Sequence, residues 1–141
     1  MKLLLRGSLT LILLQLFSFS YGQTVTQQLT LEQVTGRLND VYGSNFLLQN
    51  PELPAVYAKI INERIDYIVT AATTDEKYAL LSSVPLMTKL NPEIQGANFL
   101  NFNLNEFNPL AYYIDYFSDR TQVYRVDNTD YIMVIKPVTR N

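Results

Sequence analysis

The chain has 141 residues, 11 basic against 13 acidic side chains, a formal net charge of −2, and neither cysteine nor histidine. Those absences exclude a Ser-His-Asp triad, a Cys-His dyad, a His-ligated zinc site and any disulfide, and remove the commonest general base. No basic run exists to track a phosphate backbone, so nucleic acid is not an expected partner.

Met1–Gly22 has the form of a secretory signal peptide. Lys2 and Arg6 give a cationic start, and Leu9–Phe17 is apolar apart from Thr10 and Gln15. Ser20 and Gly22 put small residues at the −3 and −1 positions of a cleavage site before Gln23. The 11-residue stretch Leu9–Phe19 is too short for a bilayer span, which needs about 20 residues. Without cysteine, no lipid can be attached to one at the cleavage site. The expectation is an exported protein, periplasmic or extracellular, with no membrane span after cleavage. Removing 22 of the 141 residues leaves 119, with 9 basic and 13 acidic side chains and a net charge of −4. Such a chain fits one domain and buries roughly two-thirds of its unfolded surface. It must hold itself by packing alone.

Gln23–Gln28 is polar and expected to fray, with Gln23 as a new N-terminus able to cyclise to pyroglutamate. Leu29–Val41 is the best-marked helix. Thr30 and Gln33 form a capping box, and Leu29 and Val34 are placed as a hydrophobic staple. Leu31, Val34, Leu38 and Val41 make an apolar stripe, and Gly43 ends the helix. Asn50-Pro51 signals a second start, followed by the stripe Leu53, Val56, Tyr57, Ile60 and Ile61. Arg64–Thr70 reads two ways. Ile65, Ile68 and Val69 can extend the helix, yet the run is also β-rich. With no breaker between the halves, one long helix is favoured.

Thr73 or Thr74 is expected to cap a short third helix, with Asp75 and Glu76 in its first turn. It would run through Tyr78, Leu81 and Ser82 and stop before Pro85. Residues 85–109 are punctuated by Pro and Gly and read as an irregular connection. Ala111–Phe117, Thr121–Val126 and Tyr131–Lys136 then read as three strands, with turns at 118–120 and 127–130. The order implies an α+β fold, with two or three N-terminal helices packed on a small C-terminal antiparallel β-meander. In this reading 23–141 is one domain, helical over 29–84, irregular over 85–109 and a β-meander over 111–137.

In simple hairpin register one face of the meander carries Tyr113, Asp115, Phe117, Tyr124, Val126, Tyr131, Met133 and Ile135. The other carries Tyr112, Ile114, Tyr116, Val123, Arg125, Ile132 and Val134. Neither face is polar. Either the protein itself covers both, or an aromatic face stays open to a partner, with Tyr113, Tyr124 and Tyr131 as binding candidates. Asn101, Asn103 and Asn105 alternate with Phe102 and Leu104. That spacing suits contacts to a sugar or a peptide backbone, or a loop turning polar groups to water. Asp127-Asn128-Thr129-Asp130, with Asp119 nearby, reads as a hairpin turn rather than a calcium site. Neither a metal nor a cofactor is expected. Glu63, Asp66, Glu76, Glu106 and Asp115 are the non-turn carboxylates, and no spacing forces a pair together. Asp115 stands out because it lies within an apolar run, where Arg125 or a tyrosine hydroxyl can pair with it.

The C-terminal stretch Tyr124-Arg125-Val126-Asp127-Asn128-Thr129-Asp130-Tyr131-Ile132-Met133-Val134-Ile135-Lys136-Pro137, with Tyr78–Leu86 (YALLSSVPL), resembles small exported bacterial proteins of uncharacterised function. The resemblance implies a bacterial exported protein and brings no activity. The functional expectation is a non-enzymatic binding or interaction module of the cell envelope. Its partner would be another envelope protein or peptide, met through the aromatic sheet or an edge strand. The alternatives are a carboxylate-dependent glycan hydrolase and, from the alternating Asn run, a structural or matrix component.

Overall fold

The computed structural model describes residues 22–70 and 77–139. The leader up to Tyr21 and the expected cap at Thr73, Thr74, Asp75 and Glu76 lie outside the described residues. Among those residues no helix is long and apolar enough to cross a membrane.

Helix α1 spans Leu31–Tyr42 and starts as its sequence dictates. Thr30 Oγ1 accepts from Gln33 N at 3.2 Å, and Gln33 Oε1 accepts from Thr30 N at 2.9 Å. These bonds satisfy two backbone donors that a helix start leaves open. Val34, Leu38 and Val41 are fully buried, while Leu31, also on the expected stripe, is 56 % exposed. Gly43, at φ 81°, ends α1 in a conformation that side chains disfavour. Helix α2 (Ser44–Gln49) follows at once. Asn50 closes α2, its Nδ2 donating to Phe46 O at 2.9 Å, instead of starting the next helix. Helix α3 (Leu53–Lys59) begins after Glu52, with Pro54 in its first turn. Of its expected stripe, Tyr57, Ile60 and Ile61 are buried.

A π-type turn at Ile60–Arg64 separates α3 from strand β2, Ile65–Val69. The favoured long helix is thus corrected, and the β-rich reading of this run holds. β2 lies between two strands, where its Ile and Val residues and Tyr67 pack better than on a helix. Among the described residues the sheet has five strands, in the order β1 (Gln23–Val25), β2, β5 (Tyr131–Ile135), β4 (Gln122–Arg125) and β3 (Ala79–Leu80). All neighbours are antiparallel except β3 and β4. Gln23–Val25, expected to fray, is the edge strand beside β2.

The β4–β5 hairpin keeps its expected facing, with Tyr124 opposite Met133 and Val123 opposite Val134. The remaining strand of the meander is not formed. Among the described residues the one pairing within Ala111–Phe117 is an isolated bridge from Tyr112 to Leu86. Pro109–Ala111 is a 3-10 turn, and the Ile114 and Tyr116 N–H groups reach back only two residues, to Tyr112 O and Ile114 O. Tyr112 and Tyr116 are buried and anchored by their hydroxyls. Tyr112 Oη accepts from Ala97 N at 2.8 Å, and Tyr116 donates to Pro109 O. Those anchors pull the segment into the core and off the sheet. β3 takes its place beside β4, so Ala79–Leu80 is extended rather than helical and only Leu81–Ser83 makes a single 3-10 turn. The Asp127 carboxylate holds that turn, accepting from Ser82 N at 3.0 Å and from its hydroxyl.

The α+β class stands, with helices in the N-terminal half, though the sheet is mixed and draws two strands from that half as well. One core joins Val34 and Leu38 of α1, Ile61, Tyr67 of β2, Leu110 and Met133 of β5. The 85–117 segment contributes Ile94, Phe107, Tyr112 and Tyr116 to it.

Candidate functional site

Gln27 falls in the stretch expected to fray, yet it is only 5 % exposed. Its Oε1 accepts from the Tyr67 hydroxyl at 3.2 Å and from Arg37 Nη1 at 3.4 Å. Its Nε2 donates to Phe107 O at 3.1 Å and to Leu104 O. Arg37 extends the grip, with Nη2 donating to Asn105 O at 2.8 Å and Nη1 donating to Phe107 O. Asn108 Nδ2 returns a bond to Arg37 O at 3.1 Å. A loop without regular structure is thereby fixed to α1 and β2 through its backbone carbonyls. Burial lowers the pKa of the Arg37 guanidinium from its usual value, opposed by Tyr67 and Asp40. Burial raises that of the Tyr67 phenol, opposed by Arg37.

The fixed loop forms one wall of a cleft of about 420 Å³ beside Asp40 of α1. Ile94, Phe102, Phe107 and Ala111 give it an apolar side. Asn91, Gln95, Asn98, Asn101, Asn103 and Asn108 bring amides, and Asp40, Glu93 and Glu106 bring carboxylates, with no basic residue in the lining among the described residues. Most amide oxygens are engaged in turns of their own loop. Asn98 Oδ1 accepts from Leu100 N at 3.1 Å and Asn101 N at 3.2 Å, and Asn103 Oδ1 accepts from Asn105 N at 3.0 Å. This is the usual way Asn shapes irregular backbone. The NH₂ groups of Asn98 and Asn103, and the whole Asn101 amide, form no hydrogen bond among the described residues. A smaller hollow of about 80 Å³ beside Tyr42, Tyr57 and Phe117 has room for only about two or three waters.

The alternating amides divide. Asn101 and Asn103 line the cleft, whereas Asn105 does not and instead gives its carbonyl to Arg37. The three tyrosine candidates do not share an open face. Tyr131 packs against Phe102, with ring centroids 5.6 Å apart, and Tyr124 is half-buried on the core side. Its hydroxyl donates to Gln122 Oε1 at 3.2 Å, and burial raises its pKa. Tyr113 is 72 % exposed, but it belongs to the segment that left the sheet.

The carboxylates scatter. Asp66 pairs with Lys136 at 3.2 Å, Asp115 Oδ1 accepts from Phe117 N at 3.0 Å, Glu63 is exposed, and Glu76 lies outside the described residues. Glu106 alone of the four described candidates reaches the cleft. Among the described residues no group of three or more acidic side chains is placed to hold a metal ion. Asp40, Glu93 and Gln95 are site residues that the sequence analysis missed. A signal existed in the six asparagines between 91 and 108, a density that reaches well beyond the alternating run.

Compared with protein-family models, with curated proteins and with solved structures, the chain matches none.

Proposed function

We propose that this chain is a non-enzymatic binding protein, exported by its Met1–Gly22 leader, and that it holds its ligand in the cleft between Asp40, Phe102 and Glu106. One observation carries the reading. The side-chain NH₂ groups of Asn98, Asn101 and Asn103, which form no hydrogen bond among the described residues, stand beside an apolar wall, on a loop whose backbone is pinned by Gln27 and Arg37. Pinning matters because a pre-ordered loop loses little freedom when a ligand arrives. The bacterial-envelope setting rests on the leader and on the resemblance of Tyr124–Pro137.

A glycan hydrolase is supported less well. Its acid must keep a proton at neutral pH, which burial arranges. Asp40, Glu93 and Glu106 are all exposed. The matrix reading loses support as well, since 101–105 is turn and coil with no strand to build an amide ladder. Partnership with an envelope protein or peptide keeps one specific support. β1 ends the sheet, and its outer edge is unpaired among the described residues. At three residues it offers a short template.

The test is isotope-edited NMR of the mature protein with the soluble small-molecule fraction of an envelope extract. Shifts at the Asn98, Asn101 and Asn103 side-chain amides, with the ligand recovered unchanged, are expected. Release of new reducing ends would replace binding with hydrolysis, and shifts confined to Gln23–Val25 would move the site to the sheet edge.

A further inference from the structure

Building on that reading of the cleft, we propose that its ligand is a neutral saccharide of one or two rings. Charge removes the anions first. Among the described residues three carboxylates and no basic side chain line the cleft, so a phosphate or carboxylate ligand would meet only repulsion and amides there. The same carboxylates do not gather into a set that could hold a metal ion. An organic ammonium group carries donors and no acceptor. It would leave the amide NH₂ groups of Asn98, Asn101 and Asn103 facing a ligand with nothing to accept their hydrogens, and burying unmet donors is costly.

An extended peptide does supply both donors and acceptors. Peptide recognition of that kind relies on a strand to extend, and no residue from 91 to 108 is in a strand. A hydroxyl meets every condition on the lining. Its oxygen accepts from an amide NH₂, its hydrogen is donated to an oxygen of Glu93 or Glu106, and the C–H face of a sugar ring lies against Phe102 or Ile94. A volume of about 420 Å³ falls in the lower half of small-molecule sites, which sets the limit of one or two rings.

The experiment titrates isotope-labelled mature protein with maltose, cellobiose and N,N′-diacetylchitobiose. Spermidine and tri-alanine serve as contrasting probes. At least one disaccharide is expected to shift the Asn98, Asn101 and Asn103 side-chain signals, with a Kd of about 1 mM or tighter. Asn101→Ala, at an exposed residue whose side chain makes no hydrogen bond among the described residues, is expected to weaken that binding about five- to tenfold. Asn39→Ala, at an exposed residue outside the cleft and its pinning contacts, is expected to leave it unchanged. If only spermidine or tri-alanine moves those amides, the saccharide assignment fails while the cleft stands as a binding site. If a disaccharide binds but the shifts avoid all three amides, the cleft reading fails too. Silence from every disaccharide at about 20 mM, well above the expected Kd, overturns the proposal.

Discussion

The Tyr67 hydroxyl of β2 donates to Gln27 Oε1 at 3.2 Å, in a place where Tyr67 is fully buried and Gln27 nearly so. Through this bond the sheet holds the segment that leads into α1, and through Gln27 Nε2 it holds the carbonyls of the cleft loop. Tyr67→Phe removes one donor, and Gln27 Oε1 keeps Arg37 Nη1 at 3.4 Å. The expected loss is about 1 kcal/mol. Gln27→Leu strands the Tyr67 hydroxyl and the Leu104 carbonyl together, while Phe107 O keeps its bond from Arg37, and the expected loss is about 2–3 kcal/mol. Urea unfolding should rank the two in that order. Equal losses would mean that the Gln27 amide does not bind the loop.

Arg37 carries the other half of the grip. Its fork reaches Asn105 O and Phe107 O together, which a lysine ammonium on a flexible stem cannot reproduce. Arg37→Met keeps the apolar stem and removes the donors. A loss of about 2 kcal/mol is expected, with broadening of the Asn98 and Asn103 side-chain signals. Arg37→Lys should recover less than half of it. Sharp, unshifted amide signals in Arg37→Met would show that the loop orders itself without the arginine.

The two kinds of structure differ in how far they could be read from the chain. α1 was legible because all its determinants are local: the Thr30–Gln33 box, the Val34, Leu38 and Val41 spacing, and Gly43. Arg64–Thr70 was ambiguous because Ile65, Ile68 and Val69 satisfy both periods. Pairing with Tyr131–Ile135, more than sixty residues away in sequence, decides it. Ala111–Phe117 has the composition of a strand and misleads for the same reason, since its conformation is set by hydroxyl anchors to Ala97 and Pro109. Asn101 and Asn103 were visible as a pattern. Their neighbour Asp40 comes from α1 and Glu93 from the start of the same irregular loop, and only folding brings them all to one cleft.

Asn62 ties the π-type turn to the start of α1. Its Oδ1 accepts from Leu29 N and its Nδ2 donates to Leu29 O, both at 2.9 Å. Asn62→Ala removes both bonds, with an expected loss of about 1–2 kcal/mol. Asn62→Asp is nearly isosteric, yet it sets a carboxylate oxygen against the Leu29 carbonyl. It should be no better than the alanine variant in thermal melts at neutral pH. A milder aspartate variant would show that the Nδ2 bond contributes nothing.

Cleavage before Gln23 would leave all of β1 in the mature chain, because that strand starts at Gln23. The intact mass of protein recovered from the cell envelope or medium should therefore match residues 23–141, less ammonia where Gln23 has cyclised. Substituting Lys2 and Arg6 with glutamate should keep the full-length chain inside the cell. A mature form beginning beyond Val25 would lack the edge strand and contradict the leader boundary.

The pH dependence follows from the tyrosines. Burial raises the phenol pKa of Tyr57, Tyr67, Tyr112, Tyr116 and Tyr124 above the ordinary value. A folded-state pKa above the unfolded one means that folding favours the protonated phenol. That contribution is complete below the unfolded value of about 10 and is lost as pH rises beyond it. The chain has no histidine or cysteine, so no side chain with an ordinary pKa titrates between about pH 6 and 8. Tm should therefore stay flat from about pH 6 to 9 and fall steeply above about pH 10. Phenolate absorbance and circular dichroism, followed together, provide the check. The buried phenols should ionise only as the dichroism signal is lost. Ionisation of every tyrosine with the signal intact would mean that water reaches Tyr67 and Tyr116 in the folded state, and the anchor that pulls residues 111–117 off the sheet would have to be abandoned.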